Sequence, residues 1–308
     1  SIFLGEQLED VVKQLVETGV ASSAKKGEKL ATGVSTLPDF VKDATDRNRT
    51  SPFAFTGNKF EFRTVGSSDS IASPNTTINA IVAEAFCEAA DRLEKAEDFD
   101  MAVHDLIKEY MTKHQRILFS GNGYSKEWYE EAMRRGLPNI QSTIEAAPTL
   151  TTDKAVKLFE KFGIFTRVEL ESREEIIYET YAKTINIEAL TMIDMAGKDI
   201  IPAVAAYTGE LANTVVTVKE AGAPATAQTE LLVEVDSLLA EAKKALKHLE
   251  ECTVHANKIE NAKERAFYYK DVVDVAMTAL RKPVDKLEML VDSDIWPMPT
   301  YGELMFEI

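Results

Sequence analysis

The residues best placed to do chemistry are Lys59, Glu61 and Arg63, in the run Lys59-Phe60-Glu61-Phe62-Arg63. Alternation with period two is the signature of a strand, whose side chains point to opposite faces at each step. The three charges therefore share one face, and Phe60 and Phe62 share the other. Same-face neighbours on a strand lie about 6.6 Å apart. Three charges of alternating sign at that pitch can hold an anionic substrate and a cation together. The same pattern also fits a ladder of ion pairs on a solvated face, and spacing alone leaves both readings open. Upstream, Arg47-Asn48-Arg49-Thr50-Ser51 is a dense cluster of donors, suited to carboxylate or phosphate. Between them, Pro52-Phe53-Ala54-Phe55 repeats the alternation, and Gly57-Asn58 is a turn signal. Two short strands are expected, aromatic toward a core and charged toward an open face.

The stretch RNRTSPFAFTGNKFEFR, residues 47–63, closely resembles the end of the catalytic domain of glutamine synthetase. That family has an Asn-Arg-Ser or Asn-Arg-Thr element before a strand of the form basic-apolar-Glu-apolar-Arg. A Pro-Asn element opening a helix follows, here Ser73-Pro74-Asn75. The version in this chain is similar to the long, type III subfamily. So are Phe119-Ser-Gly-Asn-Gly-Tyr-Ser125, Arg134-Arg-Gly-Leu-Pro-Asn139 and the terminal Trp296-Pro-Met-Pro-Thr-Tyr-Gly-Glu-Leu304. The resemblance implies ATP-dependent ligation of ammonia to glutamate through a γ-glutamyl phosphate, with Mg2+ or Mn2+ as the divalent ion.

Carried over position by position, the resemblance implies that Glu61 ligates a catalytic metal ion and that Arg63 contacts the glutamate substrate. It puts Arg49 near the transferred phosphoryl group, and gives Lys59 to the phosphates of ATP. Each role suits its residue: a planar fork for a carboxylate, fixed positive charge for a developing phosphoryl charge, a point charge for phosphate. One carboxylate is far short of the octahedral oxygen shell these ions need, and the family's other metal ligands lie upstream of this region. The pattern also departs from the commoner bacterial enzymes. The interval from Arg49 to Glu61 is shorter, and Ala54 or a neighbour stands where those enzymes carry a further arginine. Family members are ring-shaped homo-oligomers, typically dodecamers, with active sites between subunits. Two other readings remain: a ligase of the same fold that uses another amine, and a non-catalytic helical oligomerisation fragment.

A chain of 308 residues has room for about two domains. A net charge of −16 argues against nucleic acid and against anionic membrane surfaces. No apolar run approaches the roughly 18 residues of a membrane span, and the opening Ser1-Ile2-Phe3-Leu4-Gly5-Glu6 lacks the basic start of a signal peptide. Cys87 and Cys252 lie far apart within helical patterns, so the expectation is buried free thiols in a reducing, cytoplasmic setting. The abrupt start in an amphipathic run, with no initiator Met, and the resemblance together point to the C-terminal portion of a longer protein.

The fold class expected is α+β. Residues 1–150 form the C-terminal part of a catalytic domain with short antiparallel strands and helices. Residues 151–308 form an antiparallel bundle of long helices with an extended tail. A first helix is expected to stop at Gly19, a mobile loop to span about 21–34, and a second helix to open with Ser73 as N-cap and Pro74 in its first position. That helix has an apolar face through Ile78, Ile81, Val82, Ala85 and Phe86, and a further helix covers about 99–115. Bundle stripes are traced by Ile176, Ile177, Thr180, Thr184, Ile187 and Leu190, by Leu231, Leu232, Val235, Leu238, Leu239, Ala242 and Leu246, and by Val272, Val275, Ala279 and Leu280. Residues 221–225 read as the hairpin between long helices, and Pro283 as a kink.

Four other features are given ordinary structural roles. The histidines, including His248 and His255, are expected to be solvated or capping. Gly121-Asn122-Gly123 is expected to be a helix-terminating turn, since it lacks the context of a phosphate loop. Phe267, Tyr268 and Tyr269 are expected to pack the bundle. The proline-rich stretch 296–301 is expected to be extended and to pack on the body or on a neighbouring subunit.

Overall fold

The computed structural model describes residues 1–21, 29–30, 40–41, 51–56, 59–63, 66, 69–299 and 301–306. It is a helix-rich α+β structure that divides into two compact units, residues 1–140 with 157–164, and residues 141–156 with 165–308.

In the first unit, α1 (Glu6–Thr18) lies between Gly5 and Gly19, whose φ angles of 84° and 81° suit residues without a Cβ. The Gly19 N–H closes the helix on the Leu15 carbonyl at 3.0 Å, so the helix stops where the sequence says. Then β1 (Lys29–Leu30) pairs antiparallel with β2 (Phe40–Val41). The loop expected over 21–34 thus contains a strand where it is described, and its other residues from 22 on lie outside the described set. β3 (Phe53–Phe55) and β4 (Phe60–Phe62) form the expected antiparallel pair, with Phe53 opposite Phe62, Ala54 opposite Glu61 and Phe55 opposite Phe60. Gly57 and Asn58 lie outside the described residues.

α2 (Ala72–Leu93) and α3 (Phe99–His114) pack together and are linked by the Arg92–Glu109 ion pair at 2.8 Å. The N-cap of α2 is Ile71 rather than Ser73. Pro74 fits anywhere in the first turn, where backbone N–H groups need no helical partner, so it does not fix the first residue. The expected α2 stripe is real in spacing, yet Ile81, Val82 and Phe86 are exposed and only Ala80 is buried. In α3, by contrast, Asp98 caps the helix by accepting the Met101 N–H at 3.0 Å. α4 (Lys126–Arg134) starts from the Ser125 cap. The Gly121-Asn122-Gly123 turn leads into this helix and does not end one: Asn122 Oδ1 accepts the Tyr124 N–H at 3.0 Å.

The second unit opens with α5 (Thr143–Ala146), and α6 (Asp153–Lys161) carries the chain across the division. α7 (Arg167–Met195) starts from a capping box of Thr166 and Glu169 and runs through a π-helical turn, Ala196–Ile200, into α8 (Ile201–Glu220). The chain reverses at 221–225 as expected, with φ of 91° at Gly222 and 50° at Ala225, and returns as α9 (Thr226–Ala256). α10 (Ala262–Tyr268) passes through a second π turn, Tyr269–Val273, into α11 (Asp274–Glu288), which stays helical through Pro283. α12 (Tyr301–Phe306) is the last element.

The bundle core is built from several buried clusters. Ala182, Ala189, Leu249, Tyr269, Val273 and Leu280 build one. Val204, Val235, Leu238, Leu287 and Trp296 build another, so the tail packs on the bundle. Ile144, Ala147, Tyr178 and Ala266 build a third. The α9 stripe faces the core as read, with Val235, Leu238, Ala242 and Leu246 buried and Leu231, Leu232 and Leu239 half-buried. The α7 stripe does not: Ile176, Ile187 and Leu190 are exposed, while Leu170, Tyr178, Ala182 and Ala189 are buried. The last stripe is also displaced, with Val273 and Ala276 buried and Val275 exposed. The π turn inserts one residue into the helical repeat and rotates the pattern beyond it by about 100°. Both cysteines are free thiols; Cys252 is buried and Cys87 partly so. No helix among the described residues is long and apolar enough to cross a membrane.

Candidate functional site

The hairpin of β3 and β4 is built from its edges inward. Ser51, 1% exposed, fixes the entry to β3 by donating its hydroxyl to the Phe53 carbonyl at 3.0 Å. On the other side of β3 lies a partner the sequence reading missed. Phe3 donates its N–H to the Phe53 carbonyl at 3.0 Å and accepts the Phe55 N–H at 2.9 Å. Ile2 in turn donates to the Ile117 carbonyl at 2.8 Å and accepts the Phe119 N–H at 3.1 Å. The order across this small sheet is β4, β3, residues 2–3, residues 117–119. The available signal was the short apolar run Ile2-Phe3-Leu4 ending at Gly5.

The outer edge is held by two of the family-like motifs acting on each other. Phe119 stacks on Trp128 with ring centroids 4.1 Å apart. Gly121 is needed there, because a Cβ would stand 2.5 Å from the Phe119 ring. The Arg135 guanidinium lies 5.2 Å above the Trp128 ring and donates to the Leu118 carbonyl at 2.9 Å. Glu131 accepts from Arg134 at 2.6 and 2.7 Å and from Arg135 at 2.5 Å. Those bonds, Arg134 first and Arg135 next, pull the Glu131 carboxyl down to about 2.

On the hairpin the strand pattern places the residues as read. Lys59, Glu61 and Arg63 come together, with the carboxylate between the two cations. Arg63 donates from Nε and Nη2 to Glu61 Oε2 at 3.3 and 2.9 Å, and Lys59 Nζ stands 4.0 Å from Glu61 Oε1. The Arg63 N–H is also fixed, on the Pro52 carbonyl at 2.9 Å. Its third side-chain nitrogen, Nη1, is buried and meets no acceptor among the described residues. A buried guanidinium donor without an acceptor is costly unless an anion reaches it. Arg49, with the rest of residues 42–50, lies outside the described residues.

The orientation of the hairpin differs from the expectation. Phe60 and Phe62 are 50% and 42% exposed, whereas Ala54, on the same face as Glu61, is fully buried. Alternation fixes which residues share a face, but neighbours decide which face is covered. Toward a divalent ion the fit is incomplete. Among the described residues no three His, Cys, Asp or Glu side chains are grouped to hold a metal, and Glu61 is one carboxylate already bonded to Arg63. His248 and His255 are exposed on α9; His248 lies 3.6 Å from the Cys252 thiol, and His255 packs against the Tyr268 ring.

Comparison with known proteins gives this arrangement its class. Residues 102–219 match the family model described as the glutamine synthetase C-terminal domain, and similarity to glutamine synthetases runs over the whole chain. The chain belongs to the glutamine synthetase family. Among its relatives is a glutamine synthetase of Butyrivibrio fibrisolvens, 38% identical over 322 residues, covering 100% of this chain and 44% of that one. A Type-3 glutamine synthetase of Dictyostelium discoideum is 37% identical, covering 99% of this chain and 43% of its own length. A glutamine synthetase of Bacteroides fragilis (strain YCH46) is 36% identical, covering 99% and 44%. The chain spans less than half the length of each of these relatives.

Proposed function

We propose that this chain supplies the C-terminal portion of a type III-like glutamine synthetase. The complete enzyme, in the cytoplasm, would join ammonia to glutamate at the expense of ATP, through a γ-glutamyl phosphate. The observation that carries the reading is Arg63 Nη1, a buried donor without an acceptor among the described residues, beside a carboxylate that fixes the rest of the guanidinium. With Nε and Nη2 held by Glu61, Nη1 is the remaining edge for an incoming substrate carboxylate. Lys59, more exposed and at the rim of the same face, suits phosphate oxygens of ATP. Arg49 is assigned by resemblance alone to the transferred phosphoryl group, where fixed positive charge favours the transition state.

The resemblance gives Glu61 to a divalent ion, Mg2+ or Mn2+. Such ions take about six oxygen ligands, and the described residues do not make that site. The remaining ligands belong to sequence outside this chain, in a homo-oligomer of the family's dodecameric kind.

The test is Arg63→Lys in a full-length enzyme carrying this sequence. Lysine keeps the charge and loses the fork that lets one edge rest on Glu61 while the other meets substrate. The KM for glutamate should rise well beyond that for ATP. A rise confined to the ATP term would remove Arg63 from the amino-acid site.

A further inference from the structure

We propose that Ser51 is a positioning residue for Arg63: its buried hydroxyl orients the Pro52–Phe53 peptide, and that peptide holds the arginine with its unmet edge toward the amino-acid substrate. This rests on the reading that gives Arg63 to glutamate.

The first observation is what the hydroxyl does. Ser51 and Thr253 are the polar side chains buried among the described residues, at 1% and 2% exposure. Thr253 gives its hydroxyl to the Leu249 carbonyl of its own helix at 2.8 Å, an ordinary helical bond. Ser51 has no helix to serve. Its hydroxyl lies across Pro52, donating to the Phe53 carbonyl at 3.0 Å and accepting the Phe53 N–H at 3.4 Å. The Phe53 carbonyl already accepts the Phe3 N–H at 3.0 Å. A sheet partner thus satisfies that carbonyl, and what the serine adds is a fixed relation between Phe53 and the residue before Pro52.

The second is where that relation leads. The Phe53 N–H and the Pro52 carbonyl belong to one planar peptide unit and point in opposite directions. Ser51 Oγ meets one end of it, and the Arg63 N–H meets the other at 2.9 Å. The register sets Phe53 opposite Phe62, and therefore Pro52 opposite Arg63. In such an antiparallel pair both residues can donate, but proline has no N–H. One backbone bond therefore holds Arg63 to its partner residue where an ordinary pair has two. The proline ring fixes φ at about −65°, so rotation about ψ of Pro52 is the motion that would break that bond. Ser51 opposes this rotation by gripping Phe53.

The third is what depends on the anchor. The Arg63 side chain rests on Glu61 through Nε and Nη2 at 3.3 and 2.9 Å. Glu61 is on the same strand, so the pair can follow a shift of β4 and cannot prevent one. Nη1, buried and without an acceptor among the described residues, is the group such a shift would misplace.

The experiment uses a full-length enzyme carrying this sequence, with Ser51→Ala, Arg63→Lys and the two combined. Ser51→Ala should raise the KM for glutamate by about three- to tenfold, the usual weight of one hydrogen bond, and leave kcat and the KM for ATP within about twofold. In the Arg63→Lys background the same change should add less than about twofold, because residues that act through one another are not additive. Hydrogen exchange followed by mass spectrometry should quicken around Phe53 and Arg63 in Ser51→Ala and stay as wild type in α3. A serine with a merely structural role would multiply its effect onto that of Arg63→Lys, or quicken exchange through α3 as well. Either result, or unchanged exchange around Arg63, would overturn the proposal. So would an unchanged glutamate KM in Ser51→Ala when Arg63→Lys raises it. If Arg63→Lys itself leaves the glutamate KM unchanged, the assignment of Arg63 to glutamate falls, and exchange around Arg63 still decides whether Ser51 positions it.

Discussion

Glu61 sits between two cations, and that position alone is compatible with two roles of different magnitude. As an exposed ion pair it would contribute about 0–1 kcal/mol, and neutralising it would change little. As a charge that helps organise substrate and metal, its loss would cost on the order of 10²-fold or more in rate. In a full-length enzyme carrying this sequence, Glu61→Gln should lower kcat by that larger factor and leave assembly intact, because the amide keeps the shape and the side chain is 40% exposed. Near wild-type kcat at saturating magnesium would reduce Glu61 to its ion pair with Arg63. The residue types and their shared face were legible, because a two-residue period admits only one strand geometry. The unmet Nη1 of Arg63 was not legible, since burial of one edge of a guanidinium depends on what packs over it.

The elements that hold the hairpin are linked through backbone bonds, from β4 to β3, to residues 2–3, to residues 117–119 and to the Arg135 side chain. Glu131 anchors Arg134 and Arg135, and its folded pKa lies below its unfolded value, near 2. The sign follows: its contribution to stability is complete above the unfolded carboxylate value of about 4.3 and fades as pH falls toward 2. Glu131→Gln should therefore lower the melting temperature at neutral pH and flatten the acid limb of the thermal-denaturation profile between those values, the two profiles converging as pH approaches 2. An acid limb identical to wild type would mean that the pair does not brace the edge. The hairpin tip at 221–225 belongs to a different class of element. Replacing it with a Gly/Ser loop should leave kcat of the full-length enzyme within a few-fold, because loop tips tolerate change. Lost activity in a fully assembled enzyme would show that the bundle delivers a group to the active site.

At the scale of the molecule, one carboxylate cannot supply the ligands that phosphoryl transfer needs. The isolated 308-residue chain should therefore form no glutamine from glutamate, ammonia and ATP, measured against a no-enzyme background. Turnover above that background would require a site complete within this chain. The exposed apolar side chains of α2, β4 and α7 fit a polypeptide with several surfaces still to be covered.

What the sequence determined by itself was local and periodic. It held the two short strands, the glycine stop of α1, the helix α3, the hairpin at 221–225 and the α9 stripe, each set by neighbours a few residues away. It also carried the family, through residues 47–63 and the motifs around 119–125 and 134–139. What the tertiary structure decided was which face of each element is covered. The α7 helix buries Ala182 and Ala189 and leaves Ile187 outside, because close helix packing selects small side chains as well as apolar ones. The π turn at Tyr269–Val273 displaced the stripe that runs out of it, since a helical period can be extrapolated only while the hydrogen-bond register holds. Residues 2–3 joined the β3 edge by bonds to chain far away in sequence. Backbone pairing of that range leaves no mark in a short window of residues, so only the folded chain reveals it.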